Sequence, residues 1–169
     1  MVPRKILEIS PYTHYKSLSS LLLLLVVFII IIAWEEFSIV AFACFSVMFL
    51  IDAFPSFYLH IEYWLENKDE EYEILSNEIV QRKKGLENRY SSDEIEKIIF
   101  FLSPTFYKNS NVTLLTMDRY FYAEIVLKSG EQIIMTRLLS GKLQEDLKQI
   151  KGVLFERRKT QFCNINKWR

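Results

Sequence analysis

The fold is decided by residues 17–51, SLSSLLLLLVVFIIIIAWEEFSIVAFACFSVMFLI, in which two uncharged stretches flank a pair of glutamates. The first stretch, 17–34, contains 18 residues, and a helix of that length reaches about 27 Å. This is close to the ~30 Å hydrocarbon core of a bilayer, where only helices and closed barrels satisfy their own backbone. The pattern therefore predicts a transmembrane helical hairpin over residues 17–55, with helices at about 17–34 and 37–54.

A cleaved signal peptide is the alternative interpretation of the first apolar stretch. Sixteen residues precede that stretch, and a second apolar stretch follows where a mature secreted domain should begin. The sequence therefore favours two retained helices.

The basic residues predict the orientation of the hairpin. Arg4, Lys5 and Lys16 precede the first helix, whereas the Glu35-Glu36 turn contains no Lys or Arg. By the positive-inside rule, the N-terminus and the C-terminal part should both be cytoplasmic. We expect a multi-pass protein of the bacterial inner membrane.

Aromatic residues mark the predicted cytoplasmic edge of the hairpin, as is typical of membrane–water interfaces. They are Tyr12, Tyr15, Phe54, Phe57 and Tyr58. Asp52 lies at the same boundary. Although acids inside a bilayer are usually functional, we expect Asp52 to be a solvated interfacial carboxylate.

Outside the hairpin, the sequence predicts an N-terminal arm at 1–16, one small β-rich domain at 56–155 and a basic tail at 156–169. Residues 58–65 are rich in β-branched and aromatic side chains, which favours a strand. The apolar residues from Leu143 to Leu154 recur at helical spacing, which predicts an amphipathic helix over 141–155.

The clearest β signal is a pair of alternating stretches joined by Ser129-Gly130, which predicts an antiparallel hairpin. Tyr120 and Tyr122 lie on one face of its first strand. We expect these two rings to pack under the C-terminal helix or at a protomer interface rather than to stack on a ligand.

This order of elements resembles the bacterial pleckstrin-homology (PH) domains that follow two membrane helices. The resemblance is carried by segments 71–84, 93–102, 120–137 and 142–154. It implies a membrane α-helical hairpin joined to an α+β domain. That domain would be an antiparallel PH-like β-barrel or curved sheet capped by a C-terminal amphipathic helix. It also implies a binding or assembly module rather than an enzyme.

The residue types of common catalytic and metal sites are sparse. The chain has two histidines and two cysteines, none of them closely spaced, and four scattered glycines. We therefore expect no catalytic residues, no metal site and no cofactor or phosphate-cradling loop. Because the formal net charge is zero, no overall field favours a nucleic acid polymer.

Two basic groups are the candidate binding residues. The first, called the basic hairpin below, could bind the phosphates of a small anionic ligand, or could simply guard a sheet edge. It consists of Arg82, Lys83, Lys84 and Arg89. The second could contact anionic lipid from the tail. It consists of Arg157, Arg158, Lys159, Lys167 and Arg169.

An acidic stretch, 62–73, holds six acids and should face away from the membrane or towards a basic partner.

These features support three functions. The first is a non-catalytic module, anchored in the lipid bilayer, that binds a protein partner or forms a homo-oligomer. The second is a defence effector that is gated by a cyclic nucleotide and disrupts the membrane, with the basic hairpin on the phosphates. The third is a membrane immunity protein whose acidic stretch faces a basic toxin. The sequence favours the first.

Overall fold

The computed structural model describes residues 5–33, 38–110 and 115–165. It contains an α+β arrangement in which two long helices come early in the chain and strands follow. The elements are β1 (Lys5–Leu7), α1 (Pro11–Ile32), α2 (Ile39–Asn67), β2 (Glu70–Ile74), β3 (Glu78–Lys83), β4 (Leu86–Ser91), β5 (Ile95–Leu102), α3 (Pro104–Tyr107), a 3₁₀ turn (Thr116–Arg119), β6 (Phe121–Leu127), β7 (Gln132–Thr136), α4 (Leu143–Leu147) and β8 (Leu154–Lys159).

The strands form two four-stranded sheets. The first has the order β1-β2-β3-β4 and is antiparallel throughout. The second has the order β7-β6-β5-β8, and its last strand pairs parallel to β5. Lys84 and Gly85, at φ 49° and 82°, make the two-residue turn between β3 and β4, a conformation that glycine adopts without steric cost.

The main core lies between the two sheets and is closed at one end by α4 and the residues after it. It is built from the alternating inward positions of the strands, as the pleat of a sheet requires. Its largest members include Tyr72, Phe100, Leu102, Phe121 and Met135. Leu143, Leu147 and Ile150 close it from the helical end.

A second core lies on the other face of the second sheet, where α2 packs against it. Leu59 and Tyr63 of α2 are fully buried there. They contact a layer that consists of Ile99, Phe101, Tyr120, Tyr122, Leu138 and Ile165. The second sheet is therefore covered on both faces, and α2 is a structural layer of the domain.

The strand predicted at 58–65 was wrong, because these residues continue α2. The aromatic and β-branched content suggested a strand, but the buried positions Leu59, Tyr63 and Asn67 recur every four residues, which is the spacing of one helix face. Likewise, residues 11–16 of the predicted arm form the first turns of α1, which Ser10 caps.

The long C-terminal helix predicted at 141–155 was also wrong. Only Leu143–Leu147 is helical. The chain then turns through Gly152, at φ 79°, and enters β8. The apolar spacing was informative as far as Ile150, which is buried, whereas Leu154 is 61% exposed.

Candidate interaction sites

The junction between the helices and the domain is built around Asp52 of α2. Its carboxylate accepts hydrogen bonds from the Thr116 backbone N–H at 2.7 Å and the Thr116 hydroxyl at 2.8 Å. Ser56, one turn further on, points its hydroxyl at the same carboxylate at 3.5 Å. Asp52 is only 6% exposed. The prediction that Asp52 is solvated was therefore wrong, because the domain supplies its partners.

A second polar contact joins both helices to the domain. Nδ1 of His14, on α1, lies 2.8 Å from Nε2 of His60 on α2. Nδ1 of His60 lies in turn 2.9 Å from the Tyr120 hydroxyl. Burial raises the pKa of Tyr120, so its hydroxyl keeps its proton near neutral pH. The two histidines, far apart in sequence, form one chain of hydrogen bonds with this tyrosine.

The end of α2 is fixed by Asn67, whose side chain makes three hydrogen bonds. Its amide nitrogen donates to the Ile134 carbonyl and to the Glu70 carboxylate, both at 2.9 Å. Its oxygen accepts from the Thr136 N–H at 2.9 Å. Further along the interface, the Tyr63 hydroxyl donates to the Cys163 carbonyl at 2.6 Å. These contacts attach α2 to β7 and to the segment after β8.

Tyr120 and Tyr122 pack against Tyr63 edge-to-face, with ring centroids 5.4 and 6.2 Å away. Both are buried, as expected of core residues, but the prediction that they pack under the C-terminal helix was wrong. The helix that covers them is α2 and not one at the C-terminus.

The four bases of the basic hairpin lie together, as the sequence predicted, but three of them form ion pairs with carboxylates. Lys83 Nζ lies 2.6 Å from Glu70, and this hydrogen bond raises the pKa of Lys83. Arg82 bridges Glu73 and Glu87, at 3.0 Å each. The antiparallel register of β2 and β3 places the acids opposite the bases, so the acidic stretch partly neutralises the basic hairpin.

Arg89 completes this network. It lies 2.8 Å from Glu87 and 3.7 Å from Glu78. Hydrogen bonds from Arg89 and Arg82 lower the pKa of Glu87. In the part of the chain that the structure describes, Lys84 is the one member of the basic hairpin that forms no ion pair.

A cleft of about 520 Å³ lies beside the basic hairpin. Four carboxylates and three bases line it, together with Ile9 and Gly85. They are Glu8, Asp69, Glu70 and Glu71, against Lys68, Arg82 and Lys84. This balance gives no preference for a polyanionic ligand such as a nucleotide phosphate.

Three bases of the predicted tail lie on β8, the edge strand of the second sheet. The Arg157 guanidinium donates to the carbonyls of Phe106 and Tyr107 at 2.9 and 3.1 Å. Arg158 lies 3.2 Å from Glu156, while Lys159 is exposed. Edge bases of this kind discourage pairing with another strand.

Lys167 and Arg169, like the Glu35-Glu36 turn, lie outside the described residues.

Arg137 was not a candidate from the sequence, yet it has an unusual environment. Its guanidinium lies 5.2 Å from the ring centroid of Phe106 and 5.6 Å from that of Phe121. It also donates to the Arg119 carbonyl. Burial, reinforced by the charge of Arg119, lowers the pKa of Arg137 to about 10. No sequence pattern marks this site, because its aromatic partners come from distant segments.

Exposed apolar surface is concentrated on the two long helices. Both are long and apolar enough to cross a membrane, and the candidate spans are largely unburied by the rest of the chain. In the described ranges 5–33, 38–110 and 115–165, no cluster of three or more His, Cys, Asp or Glu side chains is placed to hold a metal ion.

The family model of the PH domain matches residues 9–147, which is most of the chain. The chain belongs to the PH domain family. The match begins before α1 and includes both apolar helices, whereas the sequence placed the PH-like part after them. A search of curated proteins found no match.

Proposed function

We propose that this chain is a membrane-anchored, non-catalytic interaction module. Helices α1 and α2 anchor the PH domain at the cytoplasmic face of a bacterial inner membrane, where the domain binds a protein partner or a second copy of the chain. The observation that carries this proposal is the continuity of α2, in which one helix supplies both exposed apolar surface and a buried layer of the domain.

The exposed surface supports an anchor. Residues 22–32 of α1 and 39–51 of α2 are almost all apolar, and many of their side chains are exposed to the surroundings of the protein. Isolated exposed apolar residues are common on soluble proteins, but large contiguous patches mark contact with a membrane or a partner. Charged side chains are absent from both stretches, as the hydrocarbon core requires.

The surface chemistry of the domain supports binding rather than phosphate recognition. Arg82, Lys83 and Arg89 are engaged by carboxylates. A phosphate would have to displace those partners, which lowers the gain from binding it. A protein surface can use the alternating charges of β2, β3 and β4 without breaking them. The module therefore recognises a macromolecule.

Anchoring is tested first by extraction. Membranes containing the full-length chain are washed with alkaline carbonate and then with mild detergent. An integral anchor stays in the pellet through the first wash and is released by the second. Release by carbonate alone would contradict the proposal.

Orientation is tested by labelling cysteines in intact cells with a reagent that does not cross membranes. In a chain carrying Cys44→Ser, one variant adds Ser38→Cys at the start of α2 and a matched variant adds Ser129→Cys in the β6–β7 turn. Cys163 is buried and stays silent. We expect Ser38→Cys to react in intact cells and Ser129→Cys only after lysis. The reverse pattern would place the domain outside the cytoplasm.

A further inference from the structure

The second half of α2 carries an exposed apolar stripe that faces away from the second sheet, with Tyr58 at its margin stacked on Phe162 at 5.8 Å between ring centroids. We call it the outer stripe. Its members lie at i, i+3, i+4, i+7, i+10 and i+11, and all are between 41% and 77% exposed. They are Phe54, Phe57, Tyr58, Ile61, Trp64 and Leu65. At 3.6 residues per turn, these positions fall within an arc of about 120°, and none of them is charged.

The free part of the hairpin is short. Burial of α2 begins at Asp52, and the last buried residue of α1 is Leu21. The helical parts beyond those points, 39–51 and 22–32, reach only about 20 and 17 Å. The hydrocarbon core is about 30 Å thick. The free part of α2 is therefore about 10 Å shorter than the core, which is the length of about two further turns of α2.

The residues of the outer stripe suit this position. Phe54, Phe57 and Tyr58 occupy the two turns that follow Asp52, and all three side chains are apolar or aromatic and exposed. Trp64 lies further out, with Lys68 Nζ 5.2 Å from its ring centroid. Trp and Tyr beside a base are typical of the headgroup layer.

We propose that the outer stripe is a lipid-contact surface, so that the PH domain lies with its α2 side immersed in the membrane interface. The occupant is the phospholipid bilayer. Lipid is favoured over a second copy of the chain because the stripe continues into the apolar residues 39–51, and Asp52, the one charged residue between them, is buried on the side of α2 that faces Thr116. This inference rests on the proposed function, and it adds that the domain touches the bilayer directly.

The test uses Trp64 as its own probe. The full-length variant Trp34→Phe/Trp168→Phe keeps Trp64 as the only one of the three tryptophans, and both replaced residues lie outside the described ranges. The chain is reconstituted into phosphatidylcholine–phosphatidylglycerol vesicles whose acyl chains carry bromine near the headgroup or near the methyl end. In a parallel sample, a fluorophore on Cys44, which is exposed, reports insertion of the hairpin. Unchanged circular dichroism shows that the variant is folded.

We expect Trp64 to lose fluorescence, more with shallow bromine than with deep bromine, and the Cys44 probe to lose it with deep bromine. If Trp64 keeps its fluorescence while the Cys44 probe is quenched, the inference is overturned and the anchor stands. If neither probe is quenched, the anchor fails as well. If Trp64 is unquenched and a cross-linker placed there captures a second copy, the stripe is a protein interface, and the lipid proposal is wrong.

Discussion

The two halves of α2 both carry many large apolar side chains but have opposite surroundings. The free half, residues 39–51, exposes most of its side chains, whereas the packed half, residues 52–67, buries one entire side against the second sheet. Leu50 is 53% exposed and Leu59 is fully buried. The difference shows that apolar character alone does not separate a helix that faces lipid from one that faces a protein core.

Buried polar side chains distinguish the packed half of α2 from the free half. The packed half carries Asp52, Ser56, His60 and Asn67 on its buried side, and each of them has a partner in the domain or in the neighbouring helix turns. The free half offers only Ser46 and the thiol of Cys44. Buried polar groups require partners, so their spacing marks the face that meets protein.

The largest expected effect comes from making one substitution in both halves. We expect Leu59→Ala to lower the free energy of unfolding by about 2–5 kcal/mol, because it leaves a cavity in the second core. Leu50→Ala, the matched control, should change it by no more than about 0.5 kcal/mol. Denaturant unfolding in detergent, followed by near-ultraviolet circular dichroism, measures both. Equal losses would remove the distinction between the halves.

The second effect concerns the boundary between the halves. Asp52→Asn keeps the shape of the side chain but replaces one acceptor by a donor facing Thr116, so one buried donor of Thr116 loses its partner. We expect a loss of about 1–3 kcal/mol. Asp93→Asn, on an exposed turn, is the control and should have little effect. If the two variants unfold alike, Asp52 does not hold the domain against α2.

The smallest effect compares the packed half with the exposed ion pairs of the domain. Hydrogen bonds from Arg89 and Arg82 lower the pKa of Glu87 below its ordinary value of 4.5. Its contribution to stability is therefore present above pH 4.5 and is lost as the pH falls through the folded-state pKa. Glu87→Gln should flatten the dependence of melting temperature on pH in this acidic range only. If Glu87→Gln instead changes the pH dependence of the melting temperature near neutral pH, the effect does not come from titration of Glu87, and the prediction is wrong.

Much of the fold could be predicted from local patterns. The α+β class, the two apolar helices and the β6–β7 hairpin follow from hydropathy and turn residues, as does the burial of Leu143, Leu147 and Ile150. The end of α2 could not be predicted, because Tyr58 and Ile61 favour a strand and only the domain selects the helix. The strand that pairs with β8 is distant in the sequence, so this pairing could not be predicted. The five bases among the last fourteen residues therefore indicated a basic tail.

The sequence correctly grouped the bases of the basic hairpin but did not predict that carboxylates would neutralise them. Arg82, Lys83 and Arg89 do lie together, as their spacing around a hairpin suggests. Their neutralisation depends on the register of β2 against β3, which places Glu70 opposite Lys83. Aligning the acidic stretch with the basic one as antiparallel strands would have indicated this register from the sequence. The cluster of His14, His60 and Tyr120 had no such signal.

Because α2 passes from the free half to the packed half without a linker, the apolar end of this helix and the layer that packs on the second sheet belong to one rigid element. A flexible tether would let the domain sample many distances from its attachment point, but here its height and tilt are set by the helix itself. Any binding event that rotates the domain must also rotate the hairpin. Under the proposed function, a partner bound to the domain would therefore be coupled mechanically to the membrane through one continuous helix.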